Sequence, residues 1–193
     1  MTFGRRKPAS KKVRDILALG EDYDPSSRSV NTFYATIQNK MLYAVTGHTA
    51  AELIVARADI TAPNMGLTSW KGARVRKSDV VTAKNYLAQP RISELNLIVT
   101  MFLDTADLRA RRRQTMQLAQ WENVLNNFLR SNELNVLGNA DAVSHRQANR
   151  IAEARYEDFD AGRKEAERLA NAEVDELDEL KRIADSVQKR NPH

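Results

Sequence analysis

The sequence contains no cysteine. This absence excludes disulfide bonds, thiolate nucleophiles and cysteine-ligated zinc, and it is compatible with a reducing compartment. Histidine is also scarce, because only His48, His145 and His193 are present, and their spacing is not that of a zinc site. We therefore expect no metal centre, and the sequence assigns no cofactor.

Long apolar runs are missing as well. No stretch approaches the ~20 consecutive apolar residues that a membrane helix requires. The basic N-terminus is not followed by the apolar region of a secretory signal. We expect no membrane insertion and a cytoplasmic location, with secretion into a host left open.

The charge balance is only modestly basic. The 193 residues carry 30 Lys and Arg against 25 Asp and Glu, and the net charge is +5. Much of the excess lies in residues 1–12, which contain five cations and no acid, and we interpret them as a flexible basic arm. Nucleic acid is therefore a candidate partner, although the small excess supports it weakly.

Apolar residues recur at helical spacing along most of the chain, and no window alternates as a β-strand does. With 42% hydrophobic residues a packed core is expected. The pattern predicts an all-α helical bundle of about six or seven helices. The predicted helices cover residues 28–45, 50–58, 80–88 (ended by Pro90), 93–113, a segment capped by Thr115 and, with a break allowed at Gly162, 142–189; a short one over 12–19 is also expected.

The last third of the sequence is a long charged helix or helix pair. Its apolar residues recur every three or four positions between charges, which favours packing along a seam. We divide the chain into the basic arm, a helical core domain over 13–135 and a charged helical extension over 136–193. The extension is expected to pack on the core, or to bind a second copy or a partner protein.

Residues 46–72 differ from the remaining helical sequence because polar side chains concentrate there. His48 and Glu52 are four residues apart, so on one helix they face the same side. One interpretation is a general base and the carboxylate that orients it. The other is a helix start, with Glu52 near the positive end of the helix dipole. Both stay open, and whether the chain is an enzyme is undecided.

The loop that follows offers groups that suit an anionic small molecule. Arg57 and Lys71 supply positive charge, while glycines and hydroxyls at 64–72 could cradle a phosphate, although the spacing is not that of a Walker A motif. The alternative is an ordered loop held by its apolar residues. The candidate ligand-binding set is Asn39, Tyr43, Thr46, Arg57, Asn64, Thr68, Ser69 and Lys71.

Four sequence blocks resemble the C-terminal region of the RhuM virulence-protein family. They are 33–40 (FYATIQNK), 44–54 (AVTGHTAAELI), 63–72 (PNMGLTSWKG) and 83–87 (AKNYL) with the following 94–96 (ELN). The blocks occur in the family's order, and the resemblance covers roughly residues 12–129.

The resemblance implies a bacterial protein associated with virulence or mobile elements, in a family without a settled biochemical activity. Full-length members of the family carry an N-terminal region resembling a DNA-binding module, and this chain is expected to lack it. Some proteins join that region to a Fic-type domain. The Fic signature is not matched here, since His48 is followed by Thr49 and Ala50, and Gly138-Asn139 by Ala140-Asp141.

Two functional hypotheses follow. In the first, residues 46–72 hold a polar ligand or a latent active site, with His48 as base. In the second, this segment has only a structural role in packing the helices. The basic arm and the C-terminal helix then bind a partner protein or nucleic acid. The two are distinguished by whether His48, Glu52, Arg57 and Lys71 surround one cleft.

Overall fold

The structure, a computed structural model, describes residue 24 and residues 26–112, 117–138 and 142–190. Within these ranges the chain forms six α-helices, two 3-10 turns and no β-strand, which confirms the predicted all-α bundle. The helices are α1 (Arg28–Thr46), α2 (Ala50–Arg57), α3 (Lys77–Val80), α4 (Gln89–Arg111), α5 (Leu118–Ser131) and α6 (His145–Arg190), and the 3-10 turns are Pro63–Gly66 and Ala83–Tyr86. The predicted basic arm, the helix over 12–19 and the Thr115 cap lie outside the described residues.

One hydrophobic core lies between α1, α4 and α5. It is built from the apolar stripes that the helical spacing predicts, including Phe33, Ile37 and Met41 of α1. Phe102 of α4 meets Trp121 of α5 edge to face, with ring centroids 6.4 Å apart. Burial of these large side chains is the main free energy that holds the three helices together.

The buried Lys40 of α1 joins this core to the chain that follows α5. Its ammonium group donates to the carbonyl oxygen of Leu137 at 3.0 Å and lies 3.3 Å from Glu122 Oε1. A buried cation is tolerated when it is paired and hydrogen-bonded. Lys40 therefore ties the Leu137 backbone to α1.

A second core forms where α2, the irregular segment after it and α3 meet the first half of α6. The alanines Ala148 and Ala152 of α6 are fully buried against α2, and their small side chains allow the two helices to approach closely. Arg155 of α6 donates to the carbonyl oxygens of Val55 and Ala58 at 2.7 Å. It thereby satisfies acceptors that the C-terminal end of α2 leaves unpaired.

Two details of the predicted helices are wrong. The expected helix over 80–88 is replaced by α3 and the 3-10 turn Ala83–Tyr86, since Thr82 adopts an extended conformation between them. Pro90 does not end a helix but lies in the first turn of α4, where its missing N–H is not needed. The helix expected after Thr115 has Gln117 at its N-cap and begins at Leu118.

Helix α6 is continuous through Gly162 and has two contrasting halves. The first half packs in the second core, and Arg74 reaches Glu167 at 3.2 Å. From residue 168 to the last described side chain at 183, every residue is exposed. The helix therefore extends well beyond the two cores, while the proposed domain boundary at 135 stays a prediction.

Candidate functional site

The turn between α1 and α2 is organised by the hydroxyl group of Thr46. Gly47 has φ +71°, a conformation that glycine adopts without strain, and it lets the chain reverse. The Thr46 hydroxyl accepts from the N–H of His48 at 3.1 Å and lies 2.8 Å from the Leu42 carbonyl oxygen, to which it can donate. Thr46 therefore closes the turn.

Thr49 and Glu52 form a capping box at the start of α2. The N–H of Thr49 donates to Glu52 Oε2 at 2.9 Å, and the N–H of Glu52 donates to the Thr49 hydroxyl at 3.4 Å. Asn39 of α1 accepts from the N–H of Ala50 at 3.1 Å. The N–H groups of Thr49, Ala50 and Glu52 at this helix start thus have side-chain partners. This agrees with the interpretation of Glu52 as part of a helix start.

The remaining oxygen of Glu52 is used by a distant part of the chain. Oε1 accepts from the N–H of Ala142 at 3.2 Å, just before α6 begins. The pKa of Glu52 lies below its ordinary value, chiefly because its carboxylate accepts a hydrogen bond from the Thr49 backbone. Partial burial raises the pKa, and the bond from Ala142 and the positive field of His48 lower it further. Glu52 is therefore an ionised carboxylate that ties α2 to the entry of α6.

His48 lies close to Glu52 without being oriented by it. Its Nδ1 is 2.9 Å from the carbonyl oxygen of Thr46, an interaction that favours a proton on Nδ1. The Glu52 oxygens are bonded to backbone N–H groups instead. The imidazole is thus held by the backbone of its own turn, and Nε2 is the atom left for any proton transfer.

The loop after α2 follows an unusual backbone path. Asn64, Met65 and Gly66 have φ values of 54°, 57° and 74°, so three successive residues are left-handed. Met65 is fully buried in the second core. A Cβ added at Gly66 would lie 2.5 Å from the carbonyl oxygen of Arg57, so only glycine fits against the end of α2.

Thr68 attaches this loop to the turn before α4. Its N–H donates to the Asn85 carbonyl oxygen at 2.7 Å, and its hydroxyl is 2.6 Å from the carbonyl oxygen of Leu87. The Ser69 N–H also donates to Asn85, at 3.2 Å. The hydroxyl of Thr68 therefore has a structural explanation that the sequence did not supply.

The predicted ligand residues fall into two groups that differ in exposure. Arg57, Asn64, Thr68, Ser69 and Lys71 are exposed residues on α2 and the following loop. The remaining candidates, Tyr43, Thr46, His48 and Glu52, are partly buried around the turn between α1 and α2. A cleft between α1 and α4 contains Asn39 from the predicted set but none of the other predicted residues.

This cleft has a volume of about 520 Å³ and lies between α1 and α4. It is lined by Ala35, Ile37, Gln38, Asn39, Met41, Leu42, Ala50, Ala83, Lys84, Leu95, Asn96, Val99 and His145. No local sequence pattern marks this set, because its members come from five elements whose contacts depend on the folded bundle.

Two classes of site find no support in the described part of the chain. No group of three His, Asp or Glu side chains there could hold a metal ion. No helix among the described residues is long and apolar enough to cross a membrane.

Comparison with protein families decides the identity of the chain. The model of the virulence protein RhuM family matches residues 6–167. The chain belongs to this family. The match extends beyond the blocks at 33–96 into the first half of α6, so both cores of this RhuM-family protein lie within it.

Comparison with curated proteins finds no match to this RhuM-family chain, and comparison with solved structures finds none either. Its biochemical role is therefore argued from its own geometry.

Proposed function

We propose that this RhuM-family protein is an interaction module whose binding element is the second half of α6, and that the first partner of this surface is a second copy of the chain. The observation that carries the proposal is the exposure of five large apolar side chains along that half. Leu169, Val174, Leu177, Leu180 and Ile183 are each between 50% and 62% exposed.

Four of these side chains share one broad face of the helix, and Val174 lies outside it. Leu169, Leu180 and Ile183 lie at spacings that return to the same side, with Leu177 adjoining them. A helix of this length that is isolated in water is only marginally stable. Covering the face with another helix would remove apolar surface from water, at about 25 cal/mol per Å².

The charge pattern favours an antiparallel pair. Residues 173–179 contain five acids and no base, whereas 181–190 contain four bases and one acid. Glu173 and Glu176 lie seven and four residues before Leu180, so a parallel, in-register pair would oppose each of them with its own copy. An antiparallel pair centred near Leu180 instead places each acidic segment opposite the basic segment of the partner.

Sedimentation velocity with the full chain tests the proposal. The wild type should sediment as a dimer at tens of micromolar, and Leu180→Glu should weaken the dimer at least about tenfold, since it places a charge at an apolar site that dimerisation would bury in each copy. Asn171→Glu is the matched control, because Asn171 is exposed and lies nine residues away on the opposite side of α6. It should remain dimeric.

A wild type that is monomeric at all concentrations would contradict self-association. Equal behaviour of the two variants would contradict the assignment of the face.

The ligand site at residues 46–72 stays a second proposal with weaker support, because the cleft between α1 and α4 contains neither His48 nor Lys71, and Glu52 is committed to backbone bonds. It predicts that His48→Ala and Lys71→Ala remove a ligand-induced rise in melting temperature among nucleotides, nucleotide sugars, phosphates and divalent metals. No rise in the wild type with any of these ligands would end that proposal.

A further inference from the structure

The cleft between α1 and α4 has an apolar interior. Its walls come from Ile37, Met41 and Leu42 of α1 and from Leu95 and Val99 of α4. A volume of about 520 Å³ is within the range of small-molecule sites, which are mostly apolar with a few placed polar groups. The cleft therefore has room for the hydrocarbon part of a small ligand.

The ionisable side chains that line the cleft are all basic. Its lining contains no Asp or Glu, while Lys84 carries a positive charge and His145 can carry one. Gln38 and Asn96 add amide groups that can donate hydrogen bonds. These four residues are exposed and come from four different elements, so the fold brings them together at the rim of an apolar space.

We propose that this cleft binds a small amphipathic carboxylate. The apolar chain of the ligand lies between α1 and α4, and its carboxylate meets Lys84 and His145 at the rim. A cationic ligand would find no acidic group in the lining to balance its charge. A neutral ligand of equal length would fill the same space but would forgo the charge-assisted hydrogen bonds of Lys84. This site is separate from the exposed face of α6 and does not depend on dimerisation.

Titration calorimetry of the full chain with octanoate and with octanamide tests the proposal. The two probes have the same hydrocarbon chain and differ in charge at one end. We expect octanoate to bind about two- to fivefold more tightly than octanamide, as one favourable exposed ion pair implies. Lys84→Met should reduce this preference, since it keeps the chain length and removes the charge.

Two further variants locate the binding. Ala35→Phe places a ring at an exposed position of the lining and should abolish octanoate binding. Lys164→Met is the control for Lys84→Met, because Lys164 is an exposed lysine of α6 outside the cleft and this variant should bind octanoate as the wild type does. Thermal unfolding of each variant verifies that it folds.

Three results would overturn the proposal. The first is no binding of octanoate to the wild type. The second is equal affinity for octanoate and octanamide. The third is binding that survives both Ala35→Phe and Lys84→Met, which would place the probe elsewhere, for example on the exposed face of α6.

Discussion

Thr49 is a buried hydroxyl whose contribution is confined to one helix start. Replacing it with alanine leaves the N–H of Glu52 without its acceptor, and loss of such a cap costs about 0.5–2 kcal/mol. We expect Thr49→Ala to lower the free energy of unfolding by about that amount in a urea titration. Thr100→Ala is the control, because Thr100 is exposed within α4 and bonds only its own helix. Equal losses in the two variants would contradict the capping role.

Glu52 makes stability depend on pH in a known direction. Its folded pKa is lowered from an ordinary value of 4.5, so its contribution is present above that value and is lost as the pH falls through the folded pKa. Other carboxylates also titrate there, so the quantity to measure is the difference between wild type and Glu52→Gln. We expect the wild type to be favoured at about pH 6 and its advantage to shrink below about 4.5. A difference that does not change with pH would contradict the ionised cap.

At the residue scale, the sequence predicts the capping box but not the long-range hydrogen bonds around it. Thr49 and Glu52 have the spacing of a capping box, and that signal is local. The bonds from Asn39, Ala142 and Arg155 join residues far apart in the sequence, so only the fold reveals them. The same holds for the buried Lys40.

Among the elements, the left-handed loop after α2 is the most constrained. Gly66→Ala would force a Cβ against the Arg57 carbonyl oxygen, which is backbone and has little freedom to move. Strain of this kind costs about 1–3 kcal/mol, and we expect a loss at the upper end of that range. Chemical denaturation of the purified variant measures it.

Gly162→Ala should give the opposite result with the same substitution. Gly162 lies within α6, and a Cβ added there meets open space, so alanine should raise helix stability by about 0.5–1 kcal/mol. If Gly66→Ala were as stable as wild type, the close approach of Gly66 to the Arg57 carbonyl oxygen would be contradicted.

Helix existence was predictable where apolar spacing was long and regular, as in α1, α4 and α6. The prediction of one helix over 80–88 failed because this segment is short. Its apolar residues, such as Val80 and Tyr86, face the second core from two separate turns. Tyr86 donates its hydroxyl to the Val80 carbonyl oxygen at 2.8 Å, a contact that fixes these turns together. Tertiary packing determines the local structure of this segment, and such packing cannot be predicted from a short stretch of sequence.

For the whole molecule, α6 connects the folded body to its proposed partner. Its first half is held by buried alanines, Arg155 and ion pairs such as Lys77 with Glu157 at 2.8 Å. Its second half exposes the apolar face. The sequence predicted a charged helix with a seam, but only the structure separates the half that packs inside the chain from the half that does not.

The absence of cysteine in the chain makes one measurement direct. A nitroxide on Asn171→Cys gives one label per copy, and double electron–electron resonance measures the distance between the two labels of a pair. An antiparallel pair centred near Leu180 sets the labels about 27 Å apart along the axis, and because both labels face away from the partner across helix axes about 9 Å apart, their total separation is about 35 Å. That distance is the predicted result. A distance at least about 10 Å shorter, as a parallel, in-register pair would give, or no dipolar coupling at all would contradict the antiparallel pair.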